Sequence, residues 1–171
     1  MIRKKIRKYR KKQQEKKTGK VKKILKSIKK KGITSIEKKM CDILSDIETA
    51  YIREAPLKGI KGKRYYDFYV YSEINGITEY EFLIECHGEY WHQAFFNEEG
   101  KMEKLDTDKK KKLTKLQKRN IRNDKYKINL AKLYKLPLLI FYESEINKKP
   151  KEIKNKILNE ILKQKEKSQQ V

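Results

Sequence analysis

Residues 64–92 read RYYDFYVYSEINGITEYEFLIECHGEYWH, and the reading of this stretch decides the fold. Its first part, "RYYDFYVYS" (64–72), is aromatic and β-rich. Its second, "TEYEFLIE" (78–85), closes on the apolar pair Leu83-Ile84, and Asn75-Gly76 between them is a turn signal. The stretch therefore predicts a β-hairpin. Asp67 interrupts one strand and Glu85 closes the next, so the two carboxylates share a face only if paired residue numbers sum to an even value. A two-residue turn that pairs 74 with 77 gives an odd sum. The even sum needs a three-residue Ile74-Asn75-Gly76 loop with Gly76 at positive φ, or a bulge.

Outward from the hairpin, Ile36, Met40, Ile43, Leu44 and Ile47 recur at helical spacing and predict a helix over 35–48. "YIRE" (51–54) is a short strand, after which Pro56, Gly59 and Gly62 punctuate a loop. From Asp106 to Lys135 the chain is charged and helical, broken near Asn120–Asn123, with Tyr126, Leu130, Leu133 and Tyr134 as a buried stripe stopped by Pro137. "PLLIFYES" (137–144) is a continuous apolar strand suited to a sheet centre. Ile153, Ile157, Leu158 and Ile161 carry a last helix after Pro150. The order is helix, three-strand meander, helix, strand, helix, with no internal repeat.

At 171 residues the chain holds one domain, and its charge is uneven. Residues 1–31 carry seventeen Lys/Arg against Glu15 alone, about +16 of the formal +23. Such a tail, Arg3, Lys4, Lys5, Arg7 and Arg10 among its cations, repels itself and favours a polyanion, of which nucleic acid is the commonest. An AT-rich genome also produces lysine-rich proteins. The longest apolar run, "LPLLIF" (136–141), is far short of the ~20 residues of a membrane-spanning helix, so no membrane is expected. Cys41 and Cys86 form no CxxC pair, so neither a disulfide framework nor a Cys-rich zinc site is indicated. A reducing, cytoplasmic compartment is the default, with an organelle as the alternative because the basic start is compatible with a presequence.

Asp67 and Glu85 offer hard oxygen ligands of the kind Mg²⁺ takes, although Asp67 also reads as an edge residue paired with Lys61 or Arg64. His87 follows Glu85 by two positions and shares its face on a continuing strand. A carboxylate and an imidazole together can hold a metal and move a proton near neutral pH. His92 adds a second acid or base on a loop where Tyr90 and Trp91 pack against a base or sugar, or into the core.

"YYDF" (65–68), "IECHGEYWH" (84–92) and "NDKYKINLAKLYKLPLLIFYESE" (123–145) resemble the very-short-patch-repair (Vsr-like) branch of the PD-(D/E)XK nuclease superfamily and the related EDxHD homing endonucleases of phages. The resemblance covers roughly residues 33–162. It implies that Asp67 binds metal, and that Glu85-Cys86-His87 is the E-x-K triplet with histidine in the lysine position. It further implies that the Cys86 carbonyl is a metal ligand, that His92 assists proton transfer, and that Glu37 and Asp124 are the glutamate of the first helix and the late acidic residue. Glu37 equally fits a capping box over Thr34-Ser35-Ile36-Glu37. Asp124 equally fits a helix start, with Asp106 and Asp108 as rivals for its role. Where Vsr enzymes place a zinc-binding cysteine this chain has Glu89, so no zinc is expected and mismatch specificity is not implied.

The expected fold is an α/β, restriction-endonuclease-like core over 33–165, with a basic nucleic-acid-binding tail over 1–32 and a polar end over 166–171. The expected function is a DNA endonuclease using Mg²⁺ or Mn²⁺ held by Asp67, Glu85 and the Cys86 carbonyl. Lys127 would steady the phosphate, and the lysines at 109–118 would add sequence-independent grip. The rival from another class is a non-cutting nuclease-like domain recruited as an architectural or ribosome-associated subunit, its tail threaded along RNA.

Overall fold

The hairpin anchors a four-stranded mixed sheet. The computed structural model describes residues 32–74, 76–92, 94–96, 102–105 and 113–169. Outside them lie Arg3, Lys4, Lys5, Arg7 and Arg10, Asn75, the rivals Asp106 and Asp108, and the lysines at 109–112. The elements run α1 (Ser35–Asp46), β1 (Ala50–Gly59), β2 (Gly62–Ile74), β3 (Ile77–His87), β4 (Ala94–Phe96), β5 (Met102–Leu105), α2 (Lys115–Leu133), β6 (Leu138–Tyr142), α3 (Glu143–Lys148) and α4 (Pro150–Gln169). The main sheet has the order β1-β2-β3-β6, and β4 and β5 form a separate two-stranded ribbon. β1, β2 and β3 are successively antiparallel, whereas β6 returns parallel to β3 through α2.

The parity question resolves through a bulge. Ile74 pairs with Ile77, the odd-sum register, and Gly76 takes φ +76. Between Ser72 and Glu73 the register shifts, so that Ser72 faces Tyr80 and Phe68 faces Ile84. The extra residue, Glu79, restores the even sum. One position beyond the last rung, Asp67 lies opposite Glu85, and both leave the sheet on the same face.

Helices cover both faces. On one, Phe68, Val70, Phe82 and Ile84 pack against Met40 and Leu44 of α1, Ile146 of α3 and Ile153 and Ile157 of α4. On the other, Tyr69 and Leu83 meet Leu130 and Ala131 of α2. Burial of each such side chain contributes roughly 1.5–3 kcal/mol. Capping boxes start α1 at Thr34/Glu37 and α2 at Thr114/Gln117. Both helices end on a non-glycine residue in the left-handed region, Glu48 at φ 52 and Lys135 at φ 56. The following N–H groups bond back, Thr49 to Leu44 and Leu136 to Ala131, as in a Schellman motif.

Four expectations need correction. β1 extends to Gly59 and passes through Pro56, which is tolerated because β1 is an edge strand that needs its N–H groups on one side only. α2 runs unbroken through Asn120–Asn123, because tertiary bonds offset the low helix propensity of asparagine. β6 is an edge strand rather than the centre. Its apolar run is explained by helices on both faces, and Glu143-Ser144 open α3 instead of extending it. Leu133 is exposed, not part of the buried stripe, and Leu158 is exposed too. β4, β5 and α3 were not anticipated, and α4 continues past 165 to Gln169. No helix among the described residues is long and apolar enough to cross a membrane.

Candidate active site

Charged groups from α1, β1, β2, β3, the turn after β3, and α2 converge at one end of the sheet. Glu37, in the first turn of α1, is buried and serves two partners: Oε2 accepts the Thr34 backbone N–H at 3.4 Å and Arg53 Nη2 at 3.1 Å. It is therefore both a cap and a site residue. Single carboxylate oxygens of Glu37, Glu54 and Asp67 lie within 4.8 Å of one another. Glu54 sits at φ 52 inside β1, where the ladder pairs Arg53 with Phe68 and Ala55 with Tyr66 but skips the Glu54–Asp67 rung. A bulky non-glycine residue in that region costs of order 1–3 kcal/mol, and such outliers cluster at functional sites.

Asp67 accepts the Cys86 N–H at 2.7 Å and keeps part of its surface open to solvent. Withdrawal from bulk water, and then the negative charge of Glu85, push its carboxyl up to about 8. Glu85 itself turns toward α2, where Lys127 Nζ donates to both its oxygens at 2.7 and 2.8 Å. Burial pushes the Glu85 carboxyl up against the pull of Lys127. Burial works against the ammonium of Lys127, but Glu85 and Asp67 outweigh it and hold it above the usual lysine range. Burial also pushes the Cys86 thiol up, so its part in the site falls to the backbone.

His87 is buried, with Nε2 3.7 Å from Glu85 and Nδ1 without a hydrogen-bond partner among the described residues. Burial, and then the charge of His92, lower its pKa to about 3, so it is neutral near neutral pH. The two imidazoles stack at 3.8 Å between centroids and 14° between planes. His92 Nδ1 meets Asp124 Oδ2 at 2.9 Å, which fixes the ring and turns Nε2 away from the carboxylate. Asp124 is deep in α2 and buried, not at a helix start. One ligand atom from each of His87, His92 and Asp124 falls within 4.8 Å of the others. Planes tilted by only 14° meet far from either ring, however, so one ion cannot lie in the plane of both imidazoles. The triad suits proton handling.

The acidic trio fits a divalent ion better. Its donors are hard carboxylate oxygens, and the Asp67 carboxyl, pushed up to about 8, holds a proton that a cation would displace. Asp67 thus stands with Glu37 and Glu54, while Glu85 stands with Lys127 and His87. Tyr90 and Trp91 project from the turn after β3, 67% and 50% exposed, with rings at 4.7 Å and nearly perpendicular. Gln117 Nε2 donates to the Tyr90 carbonyl at 3.0 Å, and Asn120 Nδ2 to that of Trp91 at 3.1 Å.

Comparison with protein-family models, with curated proteins and with solved structures finds no match. Sequence reasoning missed Glu54, Gln117 and Asn120. Nothing local marks Glu54, whose role depends on a backbone kink. The other two carried a signal: Gln117, Asn120, Asp124 and Lys127 form a polar stripe at helical spacing.

Proposed function

We propose that the chain is a metal-dependent DNA endonuclease on a restriction-endonuclease-like core, hydrolysing the phosphodiester backbone with Mg²⁺ or Mn²⁺. The observation that carries this reading is the convergence of Glu37, Glu54 and Asp67 beside the Glu85–Lys127 pair and the Asp124–His92–His87 array. Buried like charges and a left-handed glutamate cost stability, and a scaffold with no chemistry to perform has no use for them. Glu37, Glu54 and Asp67, with the Cys86 carbonyl, would hold the ion. Bound there, a divalent ion would polarise the scissile phosphate and make water a better nucleophile.

The chain's own groups supply the rest. His92, steered by Asp124, takes or gives the proton at its exposed edge. His87 stays neutral against its face, so the stacked pair carries at most one positive charge. Lys127 fixes Glu85 and balances its charge. Tyr90 and Trp91 offer ring faces to a base or sugar, and the basic tail supplies phosphate contacts that carry no sequence information.

The charge asymmetry favours a second reading, a recruited nuclease-like subunit that binds RNA without cutting. Incubating purified protein with supercoiled plasmid, with and without Mg²⁺ or Mn²⁺, separates the two. The nuclease reading expects nicked or linear product only with metal. No cleavage across a broad panel of DNA sequences, together with tighter binding to RNA than to DNA, would transfer the case to the recruited subunit.

A further inference from the structure

Gln117, Asn120, Asp124 and Lys127 recur at intervals of three and four along α2 and so form one stripe. A helix packed on a sheet ordinarily spends that stripe on apolar contact. Here each residue reaches the segment 85–92: Gln117 the Tyr90 carbonyl, Asn120 the Trp91 carbonyl, Asp124 the His92 ring and Lys127 the Glu85 carboxylate. Three consecutive residues, 90 to 92, are thus each held by a successive position of one helix face. The turn is also closed from within, since the Trp91 and His92 N–H groups both donate to the Gly88 carbonyl at 3.0 Å.

We propose that Gln117 and Asn120 are positioning residues that lock the exposed Tyr90–Trp91 pair at a set distance from His92, so that a nucleobase stacked on the rings places its backbone at the proton-handling site. The ligand's identity rests on the nuclease reading; the mechanical claim does not. Gln117 performs two tasks with one amide. Its Oε1 accepts the Thr114 N–H at 3.0 Å, closing the capping box, while its Nε2 holds the turn. The helix start and the aromatic platform therefore share a fixed frame. Two large rings standing in solvent gain little from burial, and the amide bonds on their carbonyls keep the turn from collapsing onto the surface.

Trp91 is the only tryptophan in the chain, so its fluorescence reports on this turn alone. Gln117→Glu keeps an acceptor for the cap but loses the donor to Tyr90, and Asn120→Ala removes the donor to Trp91 in favour of a better helix former. The experiment measures Trp91 anisotropy, acrylamide quenching and melting for wild type, both single variants and the double variant. Each protein is then titrated with a single-stranded oligonucleotide and a blunt duplex. The expected result is lower anisotropy and stronger quenching in the variants, with melting of Gln117→Glu unchanged or raised. Affinity for the single strand should fall about fivefold for each lost bond, and the salt dependence on the duplex should stay as in wild type. Unchanged Trp91 signals in the double variant would overturn the proposal. So would altered signals with unaltered single-strand affinity, or a wild-type Trp91 signal that responds to no oligonucleotide. If all expectations hold while no metal-dependent cleavage is found, the positioning role stands and the nuclease reading falls.

Discussion

Asp67→Asn should make the metal-free protein more stable near neutral pH, the reverse of what most changes at a packed site do. The Asp67 carboxyl, ordinarily at 3.8, is held at about 8 in the fold, first by desolvation and then by Glu85. The folded state therefore binds the proton more tightly than the unfolded chain, and stability falls as pH rises between those values and levels off above the upper one. At about pH 7 the shift corresponds to a ceiling of roughly 4 kcal/mol, at about 1.4 kcal/mol per unit. Asp67 is partly exposed and solvent screens it, so about 2 kcal/mol is the expected cost. Asparagine keeps an oxygen for the Cys86 N–H and carries no charge. For a chain of this length the variant should melt ~4–8 °C above wild type near pH 7.5 without metal, and level with it near pH 4. Adding Mg²⁺ or Mn²⁺ should reverse the order, since an ion at a hundred times its dissociation constant adds about 2.7 kcal/mol to wild type alone. The assay is thermal denaturation of both proteins across pH in chelator and in metal. A variant that melts lower at every pH, with no metal response in wild type, would show that Asp67 is a structural partner and that the acidic trio holds no ion.

His92→Ala should lower metal-dependent cleavage by ~10²–10⁴ while leaving DNA affinity within a few-fold, as read by plasmid nicking beside a gel-shift titration. Lys127→Met should cost about 3–5 kcal/mol in chemical denaturation because it strands buried Glu85, and adding Glu85→Gln should recover most of that loss. A double variant no more stable than Lys127→Met would show that the two groups are not coupled. Removing residues 1–31, with about +16 of charge, should weaken DNA binding and flatten its salt dependence, each lost phosphate contact taking roughly 0.9 from the log-log slope. An unchanged slope would assign the tail to something other than nucleic acid.

The hairpin is legible because two alternating runs flank Asn75-Gly76, and parity demands either a three-residue loop or a bulge, of which the structure has the bulge and not the loop. What failed did so where tertiary contacts overrule local preference. Pro56 reads as a loop unless its strand is known to be an edge. Asn120 and Asn123 read as a helix break, yet Asn120 spends its amide on the turn that carries Trp91. "PLLIF" reads as a central strand, since sequence records that both faces are covered but not which strand lies beside it. Asp124 and His92 each stand out in the sequence, but their bond across thirty-two positions does not. Lys127 was assigned to phosphate, and the helix turns it onto Glu85 instead.

The local charge balance gives the strongest reason to expect a cation. Among the described residues, Glu37, Glu54, Asp67 and Glu85 gather at one end of the sheet, with Arg53 paired to Glu37 and Lys127 to Glu85. After desolvation, repulsion from Glu85 and Glu37 is part of what pushes the Asp67 carboxyl up to about 8. In a chain of formal charge +23 this inversion of sign is local, and it sits at the sheet end where His92 and the exposed aromatic pair also lie. A pocket that gathers carboxylates repels phosphate when empty and admits it when a divalent ion is present, so metal would control substrate approach as well as the chemistry. DNA affinity measured on the Asp67→Asn protein in chelator should accordingly exceed that of wild type at about pH 9, where the wild-type carboxyl has lost its proton, and equal affinities there would mean that the phosphate never enters the pocket.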